Sequence, residues 1–357
     1  MAGNTFGTIY KITTFGESHG KAIGGIIDGF PSNFAIDSAK LDLELLRRST
    51  NQGIYSSSRK EVDNIEILSG VFEGKSLGTP IGFIIRNSNA IPKDYNSIKD
   101  IYRPSHGDYT YDAKYEHRDH RGGGRSSARE TAARVVAGAI SKQYLSSIGI
   151  EIQAWVNQIY NIKATNNDNA SFDKIENSTL RCPDKEAESL MLNEIEKAKK
   201  EGDTLGGIIR CKISGLEAGV GEPVFDKLNA KLAHAIMSIN AVKGIEIGSG
   251  FASTTMKGSQ HNDEFVVNDG HISTATNNSG GIQAGISNGE DIVFNTAFKP
   301  IASIMQEQKT IDKYGNKKTI TIKGRHDVCV VPRAVPIVEA MAAMVILDYI
   351  LIQRAKK

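Results

Sequence analysis

The segment from His117 to Val135, HRDHRGGGRSSARETAARV, constrains the fold of this chain more than any other. It packs five arginines, two histidines and the consecutive glycines Gly122, Gly123 and Gly124 into nineteen residues. Glycine reaches backbone angles closed to other residues, and without a Cβ it admits a close approach of ligand or backbone. Ser127 stands three residues before Glu130, the spacing of a capping box, and a helical pattern follows; a helix is expected to start here and run to about Leu145. The first N–H groups of a helix have no partner within it and carry the positive end of its dipole. With Arg125 and Arg129 one turn apart, the segment predicts an anion site, most naturally for phosphate. The plainer reading is a glycine-rich surface turn with solvated arginines.

The charges around this segment limit what the anion is. The chain has 43 basic and 41 acidic residues for a net charge of +2. A general nucleic-acid binder is more basic and carries an aromatic stacking platform, so no nucleic-acid partner is expected and the arginines read as local recognition. Cys182, Cys211 and Cys329 are far apart and form no C-x-x-C pair, so neither a disulfide framework nor a zinc site is expected, and no metal set stands out. The start of the chain shows no secretory signal. The most apolar run, 340–352, is broken by Asp348 and reads as too short to span a bilayer, so no membrane partner and a cytoplasmic location are expected. With 39% hydrophobic residues, 35 glycines, no repeat and no low-complexity linker, residues 1–357 read as a single α+β domain.

Along the chain, 8–15, 24–30, 65–72, 80–86, 150–162, 206–214, 292–298 and 328–331 read as strands. Helices are expected at 38–48, capped by Asp37 with Leu41, Leu45 and Leu46 on one face, at 186–201 and at 225–239. Pro336 suits the first turn of a closing helix. The stretches 51–60 and 87–115 read as loops, 240–250 and 277–286 as glycine-rich connections, and 163–178 as a tolerant surface insertion.

Two short motifs are misleading. Gly16-Glu17-Ser18-His19-Gly20 has the form of a nucleophile elbow, but it comes too early in the chain for that elbow, which follows several strands. It leaves His19 between glycines, open to a substrate. Gly70 to Ser76, GVFEGKS, is one residue short of a phosphate-binding P-loop and reads as a hairpin turn. His106 lies in the loop Arg103-Pro104-Ser105-His106-Gly107-Asp108, and Arg325-His326-Asp327 is a charged triplet of the kind that grips a polar ligand. The residues alone point to an enzyme acting on a small phosphorylated anion with histidine acid–base help. They do not identify the reaction.

Taken in order, GESHG at 16–20, ILSGVFEG at 67–74, RPSHGDYTY at 103–111, GGGRSSARET at 122–131, GEPVFDKLNA at 221–230, SINAVKGIEIGSGF at 238–251, KPIASI at 299–304 and GRHD…RAVP at 324–336 resemble the chorismate synthase family over nearly the whole chain. The resemblance implies a β-α-β sandwich with helices between two antiparallel sheets, assembled as a homotetramer. It implies conversion of 5-enolpyruvylshikimate 3-phosphate to chorismate and phosphate by anti 1,4-elimination. Reduced FMN is then required without net redox change, fed by an external flavin reductase or with NADPH as indirect reductant.

In that resemblance His19 protonates the leaving phosphate and Ser18 helps to position it. His106 sits by the reduced flavin, and Asp327 assists proton removal, with Ser127 in the same network. Arg125, Ser126, Ser127, Asn240, Ala241, Ala284, Lys299, Pro300, Ile301, Ala302, Ser303 and Arg325 contact FMN; Arg48, Arg103 and Arg129 hold the substrate's anionic groups. The chain departs from the family pattern at Ser49-Thr50-Asn51 and Ile54, where an arginine is usual, at Asn278-Ser279, and at Ala284, where glycine is common. The alternatives are a flavoprotein oxidoreductase on the same FMN site, disfavoured by the lack of a nicotinamide fingerprint, and an RNA-binding protein.

Overall fold

The computed structural model describes residues 3–50, 53, 55–56, 63–87, 98–165, 168–268, 270–322 and 326–356. Two five-stranded antiparallel sheets enclose a layer of helices, the expected sandwich. The first sheet runs Thr5–Phe6, Lys11–Gly16, Ala22–Asp28, Ile81–Arg86, Ile65–Ile67 in spatial order. The second runs Val242–Ile247, Ile292–Phe298, Gly207–Ser214, Glu151–Ile159, Ile162–Lys163. Their strands alternate buried and exposed residues, as sheets with one covered face do.

Between the sheets lie the helices Thr131–Ser146 and Val331–Lys356, packed on each other. The first rests on the first sheet and the second on the second sheet. Their contact is close because Gly138 faces Ala340; a Cβ at Gly138 would stand 2.2 Å from that of Ala340. Both helices are apolar nearly all round, as buried helices are. Val331–Lys356 is long and apolar enough to cross a membrane, but it is enclosed by the sandwich. Its length corrects the expectation that the run is short.

Asp348, which seemed to break this run, has a structural task. Its carboxylate accepts the backbone N–H groups of Thr8, Ile9 and Tyr10 at 2.7–2.9 Å. Those amides are therefore turned out of a sheet ladder, and the strand expected over 8–15 begins only at Lys11. The helix also starts at Val331, five residues ahead of Pro336. Pro336 has no N–H for the carbonyl of Pro332 one turn back, and Arg181 donates to that carbonyl at 2.7 Å instead. The strand expected at 328–331 is absent; Cys329 makes one isolated bridge to Leu205 before the helix begins.

Asp37 caps the helix Ser38–Arg48 through the N–H groups of Ala39 and Lys40, as its position predicts. Leu41 and Leu45 are buried, whereas Leu46, turned a further 100° around the axis, is exposed. The run 65–72 is split into one strand of the first sheet and half of a hairpin, Val71–Phe72 with Lys75–Ser76, so the hairpin reading of GVFEGKS holds. Asp108–Tyr115 is a helix within the expected loop, and Val242–Ile247 is an edge strand where a connection was expected. The stretch 163–178 is not simply tolerant: Phe172–Glu176 is helical, Ile175 is buried, and Glu176 accepts from Arg47 and Arg181. Of 51–60, only residues 53, 55 and 56 are among those described.

Candidate active site

Three backbone carbonyls of the glycine-rich segment gather three distant loops. Gly124 O accepts the N–H of Ser18 at 3.1 Å, Gly122 O accepts Arg103 at 2.8 Å, and Ser126 O accepts the side-chain amide of Asn240 at 2.9 Å. The segment is thus a wall onto which the chain folds its histidine loops. Behind it Ser127 starts the helical run, accepting the N–H of Arg129 at 3.2 Å. The reciprocal half of the capping box is replaced, because the Glu130 carboxylate pairs with Arg134.

His19 is 6% exposed and stands against this wall. Its Nδ1 lies 3.1 Å from Ser18 Oγ. Gly122 takes a left-handed φ of +67°, and a Cβ there would lie 2.6 Å from His19 Cε1. The glycine is therefore required twice, by its backbone angle and by the imidazole beside it.

His106 and Arg103 share one carboxylate. Asp108 accepts Arg103 Nε and NH2 at 2.7 Å each and lies 3.1 Å from His106 Nδ1. Burial alone would raise the Asp108 carboxyl, but the Arg103 and His106 hydrogen bonds outweigh it and hold the group well below the usual carboxylate range. Arg48 and Arg129 share another. Asp63 accepts Arg48 at 2.8 Å through one oxygen and Arg129 through the other. Burial opposes ionisation of Asp63, and the two guanidinium charges overcome it and lower its pKa. Two cations on one anion leave a net positive charge, the polarity an anionic substrate needs. Asp327 is paired with Arg333, whose Nε also donates to the carbonyls of Arg48 and Ser49 at 3.2 and 3.1 Å.

His19, His106, Arg48, Arg103, Arg129, Asp327 and Arg333 line one cavity of about 420 Å³. It gathers Ser18, His19, Arg48, Arg103, His106, Ser126, Ser127, Arg129, Asn240, Ala241, Lys299, Ile301, Ala302, Ser303 and Asp327. Ile239, Phe298, Ile322, Val330 and Ile337 give it an apolar floor. Burial, and then the Lys243 charge, push the Lys299 ammonium below the ordinary lysine range. The cavity has the size and the few convergent polar groups of a small-molecule site.

Three expected residues do not line this cavity, and a fourth is not among those described. Arg125 lines a larger cleft of about 870 Å³ that shares the Gly122–Gly123 wall, with its guanidinium on the carbonyl and hydroxyl of Thr14. His117 and His120 line that cleft as well. The smaller cavity is the better candidate, since it holds both sequence-predicted histidines and the buried arginines. Ala284 lies in a third pocket with Ser249 and Asn278, at a left-handed φ of 52°, the angle that glycine commonly supplies. Pro300 does not line the cavity beside its neighbours, and Arg325 lies outside the described residues.

Asp63, Asp108 and Arg333 were not assigned roles from sequence. Asp108 had a local signal, five residues from Arg103 and two from His106. Asp63 had none, being 66 residues from Arg129.

The chorismate synthase family model matches residues 10–351. A chorismate synthase of Bacteroides thetaiotaomicron is 55% identical over 352 residues, 98% of each chain. That of Christiangramia forsetii is 55% identical over 358 residues, covering both chains fully. A crystal structure of a chorismate synthase superposes with a TM-score of 0.77 at 32% identity, over 98% of this chain and 93% of that one. Fold, matched length and identity agree: the chain belongs to the chorismate synthase family of carbon–oxygen lyases.

Proposed function

We propose that the chain converts 5-enolpyruvylshikimate 3-phosphate to chorismate and inorganic phosphate by anti 1,4-elimination in the 420 Å³ cavity, with reduced FMN as cofactor. The observation that carries this reading is the convergence of His19, His106, the buried Arg48 and Arg103, the half-buried Arg129 and Asp327 on one cavity with an apolar floor. The substrate carries a phosphate and two carboxylates, and Arg48, Arg103 and Arg129 are the cations to hold them. Their pairing with Asp63 and Asp108 fixes them in place before substrate arrives, so little ordering remains to be done on binding.

The residues present fit FMN. Ile301, Ala302 and Phe298 suit a flat apolar ring, and Lys299, Ser303, Ser126, Ser127 and Asn240 suit its polar edge, hydroxyls and phosphate. When bound, the reduced flavin supplies an electron-rich ring that eases loss of phosphate and is regenerated within the turnover. His19 gives a proton to the departing phosphate oxygen, with Nδ1 steadied by Ser18. His106, which lines the cavity, would contact the bound flavin, and Asp327, held by Arg333, would assist removal of the ring proton. Burial of His19, Arg48 and Arg103 keeps water from these charges and strengthens each interaction. Arg125, Pro300, Ala284 and Arg325 belong to the proposed FMN set by resemblance alone. A cytoplasmic homotetramer supplied with reduced flavin by another enzyme, with NADPH as the remote reductant, completes the proposal.

Replacement of His106 tests the residue assignment. With chemically reduced FMN and no oxygen, His106→Ala is expected to lower kcat by about 100-fold, within the range of general acid–base catalysis, while circular dichroism and Tm stay near wild type. Wild-type turnover in the folded variant would refute its role.

A further inference from the structure

We propose that Asp108 is a positioning residue of this site: it holds His106 by Nδ1, so that the neutral ring presents Nε2 as its basic nitrogen, and locks Arg103 alongside. The inference rests on the active-site reading above. Asp108 opens the helix Asp108–Tyr115 and is 3% exposed. Its Oδ1 meets His106 Nδ1 at 3.1 Å, Arg103 NH2 at 2.7 Å and Arg118 NH1 at 3.2 Å. Its Oδ2 accepts Arg103 Nε at 2.7 Å and the Arg103 backbone N–H at 3.1 Å. One buried carboxylate thus organises three cationic or basic side chains and one turn of backbone.

The assignment of the proton follows from donor and acceptor chemistry. An ionised carboxylate only accepts, so His106 Nδ1 is the donor and the lone pair of the neutral ring resides on Nε2. The turn supports the same geometry: Ser105 takes a left-handed φ of 58°, and His106 N–H bonds back to Arg103 O at 3.1 Å. Arg118 is nearly buried, pairs with Asp112 as well and meets the same Asp108 oxygen as His106, which adds a further cationic contact fixing that carboxylate.

The test is the tautomer of His106, read by nitrogen-15 NMR on histidine-labelled protein and assigned by loss of its signals in His106→Ala. Wild type is expected to show a protonated Nδ1. Asp108→Ala is expected to move the proton toward Nε2 and to lower kcat about 100-fold, at the low end of what general acid–base catalysis contributes. Asp108→Asn, which keeps an acceptor but loses the charge, is expected to retain part of the Nδ1–H signal and to lose about 10-fold in kcat. In a His106→Ala background, Asp108→Ala is expected to cost less than threefold further in kcat, because the two act as one unit on turnover, while release of Arg103 shows as a higher KM. An unchanged tautomer in Asp108→Ala, or full additivity of the two losses, would overturn the proposal. If Asp108→Ala does not fold, Asp108→Asn decides: wild-type signals together with wild-type kcat overturn it. The tautomer needs no substrate, so a wild-type protein that fails to form chorismate would sink the proposed function while leaving this result readable.

Discussion

Gly122 shows how little space separates the wall from His19, the proposed proton donor. Its added Cβ would stand 2.6 and 2.7 Å from two ring atoms of His19, about 1 Å inside ordinary contact, at a φ of +67°. Gly122→Ala is therefore expected to cost about 1–2 kcal/mol in backbone strain. It is also expected to lower kcat about 100-fold, because a shift of about 1 Å in a catalytic group is that costly. Thermal melts and steady-state kinetics check the two numbers separately; an active variant would mean that His19 is not held where the structure puts it. At this scale the sequence was partly legible. The glycines, the arginines and both histidines stand in recognisable motifs. Their counter-ions do not: Asp63 reaches Arg48 and Arg129 only through the tertiary fold. The helix start expected at Ser127 is there, yet Arg125 before it and Arg129 in its first turn are engaged by Thr14 and Asp63.

Between elements, the layer of helices is set by one close contact and one buried charge network. At Gly138, alanine gains about 1 kcal/mol of helix propensity over glycine. Its Cβ, however, would lie 2.2 Å from Ala340 Cβ and 2.3 Å from its Cα, so the helices must part. Overpacking of this kind costs about 1–3 kcal/mol and wins, so Gly138→Ala is expected to be destabilising in chemical denaturation. Glu339 stands on the same helix, next to Ala340 in sequence, its carboxylate bonded to Arg47, Lys142 and the Ala154 N–H. Burial alone would raise its pKa, but Arg47 and Lys142 pull it from 4.5 to about 2. Because the folded pKa is the lower one, this stabilisation is full above about 4.5 and is lost as pH falls toward about 2. Glu339→Gln is expected to be less stable than wild type at neutral pH, by about 3–5 kcal/mol for a broken buried pair, and to lose less stability on acidification. Equal pH dependence in urea titrations of both proteins would contradict that. Elements with strong period and clear caps were legible, as for 38–48, 292–298 and the apolar face of 228–239. The role of Asp348 was not, since its three partners lie some 340 residues away.

At the scale of the whole molecule, the proposed active-site cavity forms only because distant loops and the long central helix meet at the glycine wall. Residues from the first sixth of the chain, from 103–129, from 239–241, from 298–303 and from 326–337 line it together. No short segment contains the site, and the motifs read one by one pointed only to an enzyme acting on a small phosphorylated anion. Family membership rests on the whole length; the reaction and the cofactor are tested by turnover. Incubated without oxygen with chemically reduced FMN and 5-enolpyruvylshikimate 3-phosphate, the protein is expected to release chorismate and phosphate in equal amounts, followed by absorbance and phosphate assay, with the flavin still reduced at the end. Folded, FMN-bound protein that yields no chorismate, or that oxidises one flavin for each product formed, would contradict the account.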